Sequence, residues 1–144
     1  MNKINEMNQN SKRTIFLAGP MHNVPREASL AWREKAKKML EKNFNILHAY
    51  RGREKKETMP DPKGFIARDK NDILRSDILI VNDSYENASM IGTAMEVFFA
   101  YSLNKIILVF GNTHLNDKWL SYHSHIRVNT LEEACDLAIK LFKD

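Results

Sequence analysis

The stretch DILIVNDSYENASMIGTAMEVFFAYSLNKIILVF, residues 77–110, decides the fold. It opens on an apolar run at 77–82 and closes on another, KIILVF, at 105–110. Both runs are apolar throughout rather than alternating, as central strands of a parallel sheet are when helices cover both faces. The chain between them is long enough for a helix, so the unit reads strand–helix–strand. Within it, Glu96 is the only charge between Ala94 and Leu103.

The same alternation continues outward. TIFLA (14–18), FNILHA (44–49) and a weaker HIRV (125–128) read as further strands. SLAWREKAKKMLEK (29–42) puts Leu30, Trp32, Ala36, Met39 and Leu40 on one side of a helix, with lysines opposite. Asp61-Pro62 is a helix start, and TLEEACDLAIKLF (130–142) opens with Thr130 and Glu133 at capping-box spacing. The sum is an α/β chain: one doubly wound, flavodoxin-like domain with a five-stranded parallel sheet over residues 13–144, preceded by a mobile tail at 1–12. Ligands of such sheets bind beyond the carboxyl ends of the strands, here GPMHN, YRGRE and NDSYENAS.

Composition excludes several classes. With 43% hydrophobic and 28% charged residues, and apolar runs too short for a membrane span, the chain reads as soluble and cytoplasmic. The net charge of +4 is mild, and no aromatics interleave with basic residues as a nucleic-acid surface requires. Arg51 to Lys56 form a basic run that reads either as an attraction for a phosphorylated ligand or as a solvated loop. A single Cys135, beside Ala134 and Leu137, reads as a buried thiol and rules out a disulfide framework. His123 and His125 have i, i+2 spacing, and no metal site is expected.

Two carboxylates occupy unusual positions. TAME, Thr93 to Glu96, fits a capping box, which would make Glu96 a helix cap. Gly92, one turn earlier on the same face, instead suggests room for a ligand to approach the carboxylate. On a helix through DPKGFIARDKNDILRSD, Asp69 falls among Phe65, Ile66 and Ile73 on the apolar side, with Asp72 nearer the edge. An acid there costs free energy unless it is paired or used. Either it is hydrogen-bonded structurally, or the pair performs glycosyl chemistry, one carboxylate as nucleophile and the other handling a proton.

Four stretches carry a resemblance to the nucleoside 2-deoxyribosyltransferase family, which includes 5′-monophosphate N-glycosidases. They are IFLAGP (15–20), Asp69 eight residues before Asp77, GTAMEVFFAYSLNK (92–105) and WLSYHSHIRVNTLEEA (119–134). The resemblance implies that Glu96 attacks C1′ of a 2-deoxyribosyl group and that Asp69 serves the departing or incoming base. It puts the substrate against Gly19, Pro20 and Met21, against Asp83, Ser89 and Met90, and against Gly92 and Thr93. It implies deoxynucleoside or deoxynucleotide substrates, no cofactor, no metal, and a homo-oligomer in which Asn116 or Ser124 reaches a neighbour's site. Two positions depart from the family's pattern. Phe16 stands where many relatives have a tyrosine that helps position the nucleophile. Met90 stands where aspartate or serine is usual, with Ser89 beside it, so the choice between 5′-hydroxyl and 5′-phosphate stays open. The rival readings are an NAD glycohydrolase and a nucleotide-binding module without catalysis. A receiver domain fails for want of an acidic pair in FLAGPMHN, and a flavodoxin for want of a phosphate loop.

Overall fold

The computed structural model describes residues 12–53 and 61–144. The expected tail lies almost wholly outside the described residues, as do Glu54, Lys55 and Lys56 of the basic run. The elements in chain order are β1 (Thr14–Ala18), α1 (Arg26–Leu40), β2 (Asn45–His48), α2 (Pro62–Leu74), β3 (Ile78–Asn82), α3 (Ile91–Ser102), β4 (Ile106–Phe110), α4 (Lys118–Tyr122), β5 (Ile126–Val128) and α5 (Leu131–Phe142). All five strands are parallel, in the order β2-β1-β3-β4-β5. This is the flavodoxin-like, doubly wound arrangement, and strand order reverses between β1 and β3.

β3 sits at the centre because all five of its residues are buried, as its unbroken apolar run requires. Successive side chains of a strand face opposite ways, so the sheet has two cores. Ile15, Leu17, Ile78, Ile80 and Leu108 pack with Trp32, Ala36 and Leu40 of α1 and with Ala134, Cys135 and Ala138 of α5. Phe16, Ala18, Leu79, Val81, Ile107 and Val109 pack with Ile73 of α2, Val97 and Ala100 of α3, and Leu120 of α4. Each fully buried aliphatic side chain contributes about 1.5–3 kcal/mol relative to exposure. Cys135 is wholly buried, and burial pushes its thiol up to about 12.

Local rules hold at two helix starts. Asp61 accepts from the Lys63 amide ahead of Pro62, and Thr130 accepts from the Glu133 amide. They fail at α3. Its cap is Met90, without a side-chain cap bond, so Thr93 and Glu96 lie inside the helix and the capping-box reading of Glu96 is wrong. Periodicity also misjudged α2. Asp72, expected near the edge, is wholly buried between Arg51 and Arg75, whereas Ile66, expected on the core side, is 60% exposed. The arginines decide this, because two guanidiniums offset the cost of burying one carboxylate. The same contact shows that Arg51 is an ion-pair partner within the fold and not simply a solvated charge.

Candidate active site

Beyond the carboxyl ends of β1 and β3 lies a cleft of about 970 Å³, walled by α2, by the first turns of α3 and by α4 with the loop before it. Gly19, Pro20 and Met21 form its lip at the end of β1. Gly19 has no room for a side chain, since a Cβ there would sit 2.8 Å from the Trp32 ring. Ser89, Met90, Gly92 and Thr93 line it at the head of α3. A Cβ on Gly92 would meet nothing within 4 Å, so the glycine leaves cleft space open in front of the helix. Asp69 from α2 and Glu96 from α3 share the cleft.

Both carboxylates are shifted upward, and the charge of Asp69 bears on Glu96. Glu96 is pushed up to about 8, first by burial and then by the charge of Asp69, against the pull of Arg33. Burial also raises Asp69, to about 6, with Arg68 opposing and Asp72 assisting. One oxygen of Asp69, Oδ1, is buried without a hydrogen-bond partner among the described residues. Asp69 gives up its proton first, so between about 6 and about 8 the pair carries one proton, mainly on Glu96.

Sequence reasoning missed the cation behind them. Arg33 is 1% exposed; its Nη1 donates to the Ser29 carbonyl at 2.8 Å and hydroxyl at 2.7 Å, and its Nη2 to the Gly19 carbonyl at 2.9 Å. Its guanidinium carbon lies 4.5 Å from the Trp32 ring centre and 5.3 Å from that of Tyr50. Burial lowers its pKa to about 10, still far above neutrality, and both cleft carboxylates feel its charge. Arg33 therefore ties the β1 turn to α1 while holding positive potential beside the pair.

One expected contact falls elsewhere. Asp83 is not on the cleft surface: it is wholly buried, with Oδ2 accepting from Arg127 and from the His114 amide at 2.9 Å each, and Oδ1 held 2.6 Å from His114 Nδ1. Its position after β3 suggested a ligand, but these partners occupy both oxygens, so the expected direct contact with substrate is corrected. Asn116 is exposed and Ser124 donates to the Leu120 carbonyl; neither lines the cleft of its own chain. Phe16 is wholly buried in the core. The cleft also gains His22, His114, Asp117 and Trp119, which sequence reasoning did not single out. Trp119 and Tyr122 pack around His123, the Trp119 ring lying 4° from parallel to it.

The described chain covers most of several solved structures. A 2-deoxyribosyltransferase from Bacillus psychrosaccharolyticus superposes with a TM-score of 0.66 at 17% identity, over 85% of this chain and 90% of that one. The CMP N-glycosidase BcmB of Clostridium botulinum gives 0.59 at 19%, over 90% and 100%. The chain has the fold of the 2-deoxyribosyltransferases. A molybdenum cofactor binding protein from Rippkaea orientalis shares it as well, with a TM-score of 0.58 at 16% identity over 90% and 96%, so the 2-deoxyribosyltransferase fold does not by itself select an activity. No family model matches the sequence, and no curated relative does. Among the described residues no helix is long and apolar enough to cross a membrane, and no three metal-ligating side chains cluster.

Proposed function

We propose that the chain is a nucleoside 2-deoxyribosyltransferase acting on the N-glycosidic bond of deoxynucleosides. The observation that carries the reading is the Glu96–Asp69 pair, two carboxylates of raised pKa sharing one apolar cleft. Structural neighbours that act as 2-deoxyribosyltransferase and CMP N-glycosidase support the same chemistry. A Glu96 oxygen attacks C1′ as the C1′–N bond breaks, and the bond's electron pair leaves with the base. Asp69 delivers its proton to that base. An incoming base then attacks C1′ from the face just vacated, displaces Glu96 and returns a proton to Asp69, giving net retention. Gly19, Pro20, Met21, Ser89, Met90, Gly92 and Thr93 hold the substrate in this reading. No cofactor enters any step.

A second reading, a 2′-deoxynucleoside 5′-monophosphate N-glycosidase, has water in place of the acceptor base. The cleft's rim is the observation that favours it: Met95, Phe98 and Trp119 are each more than half exposed and leave the single chain's site open to water. The same rim supports a homo-oligomer, in which a neighbour covers these side chains and brings Asn116 or Ser124 to the site. Light scattering should give at least a dimer, and Met95→Lys with Phe98→Lys should shift it toward monomer.

Activity is tested with deoxyinosine plus adenine, and separately with dCMP or dGMP alone. Deoxyadenosine and free hypoxanthine in the first tube are expected; free base released only from the monophosphates would make the second reading the right one. Catalysis needs Glu96 ionised and Asp69 protonated, the less populated of the two one-proton arrangements, since the higher value of Glu96 keeps most of that proton on the nucleophile. Below about 6 both are protonated and the nucleophile is lost; above about 8 both are ionised and the acid is lost. The rate should therefore trace a bell with limbs near those two values, and a rate still rising at pH 10 would exclude Asp69 as the acid.

A further inference from the structure

His114 is held more firmly than a loop side chain needs to be. The buried carboxylate of Asp83 takes both its backbone amide, at 2.9 Å, and its ring Nδ1, at 2.6 Å. Arg127 fixes that carboxylate in turn, donating from Nη1 to Asp83 Oδ2 at 2.9 Å and to the Gly111 carbonyl at 2.7 Å. Gly111 has φ +96°, and a Cβ there would lie 2.4 Å from the Asp83 carbonyl oxygen, so the backbone itself is shaped to close this contact. The network joins the ends of β3, β4 and β5, and its outermost member, His114, lines the cleft with its side chain 35% exposed.

The chemistry of the ring then narrows its use. A carboxylate that accepts from a guanidinium and an amide leaves Nδ1 as the donor of the ring's hydrogen bond to it. In the neutral ring Nε2 is then the acceptor that remains. In the proposed reaction the base lies against Asp69 of α2 and C1′ against Glu96. The head of α3 and the loop after β4 that carries His114 line the cleft on its other side, and in this reading the remainder of the sugar is placed against them.

We propose that His114 Nε2 accepts a hydrogen bond from a hydroxyl of the substrate's sugar, with Asp83 and Arg127 as positioning residues that fix the ring. The inference rests on the proposed function and adds a specificity contact to it. A site built to accept from a hydroxyl discriminates against a substrate lacking that group.

The test is steady-state kinetics of the full chain on a deoxynucleoside and on its 5′-deoxy and 3′-deoxy analogues, with wild type, His114→Ala and His114→Gln. His114→Ala should lower kcat/KM on the full substrate about tenfold, the scale of one lost hydrogen bond. It should act mainly through KM, and His114→Gln should restore part of the loss through its amide oxygen. Against the analogue lacking the contacted hydroxyl, His114→Ala and wild type should be equal, which also tells the 5′ from the 3′ group. An equal loss on all three substrates, or no loss on any, overturns the contact while leaving the function standing. A wild-type chain that turns over no deoxynucleoside overturns the function, and the contact with it.

Discussion

Glu96→Gln should abolish base exchange and, at the same time, make the folded chain more stable above pH 8. The loss of activity should be on the order of 10⁴-fold or more, as when a covalent nucleophile is removed. The gain in stability follows from linkage. Folding raises the Glu96 pKa from 4.5 to about 8, so the folded state keeps a proton that the unfolded chain gives up within that window. Stability is therefore lost as pH rises from about 4.5, and the whole cost is present above about 8. Glutamine has the same shape and no charge to desolvate. The variant should gain about 2–4 kcal/mol at pH 9, or about 5–10 °C in Tm, and almost nothing at pH 4.5. Differential scanning at the two pH values reads this directly. A variant less stable than wild type at pH 9 would mean that Glu96 is paired in the fold and not poised in a cleft.

Arg33→Met should cost about 10²–10³-fold in activity at pH 7 and move the bell upward in pH. Arg33 is the cation that opposes the rise in the Glu96 pKa, so its removal leaves Glu96 harder to ionise. Asp69, whose acidity Arg33 also favours, should move the same way. Methionine keeps much of the volume against Trp32 and Tyr50 but leaves the Gly19 carbonyl without its donor. Arg33→Lys should not recover the loss, because one ammonium cannot span Ser29 and Gly19 as the guanidinium fork does. The pH–rate profile separates this from general damage: a misfolded fraction lowers the bell without moving it. An unshifted bell would remove Arg33 from the electrostatic account.

The elements legible in the sequence are those whose signals are local. β1, the two strands around α3, and α2 with its Asp61-Pro62 start follow from unbroken apolar runs and a cap within four residues of chain. α4 went unread because it is five residues long, and its start depends on Asp117 accepting from the Leu120 amide. In REKAKK, Arg33 reads as one more solvated charge, and it takes Ser29, a carbonyl 14 residues upstream and two aromatic rings to make it a buried group. Asp83 shows the converse. Standing after a central strand, it has the position of a ligand contact, and its partner Arg127, 44 residues away on β5, turns it inward. Glu96 and Asp69 stood out because each contradicts the apolar pattern around it. A group that matches its local pattern, as Arg33 does, gives no such signal.

The central claim is that Glu96 is the nucleophile, and intact-mass spectrometry tests it most directly. Wild-type protein mixed with excess deoxynucleoside and quenched in acid should gain the mass of one 2-deoxyribosyl group. After digestion, the added mass should map to the peptide containing Glu96 and be absent from Glu96→Gln. An adduct on another residue, or base exchange by a chain in which Glu96→Gln is as fast as wild type, would contradict it.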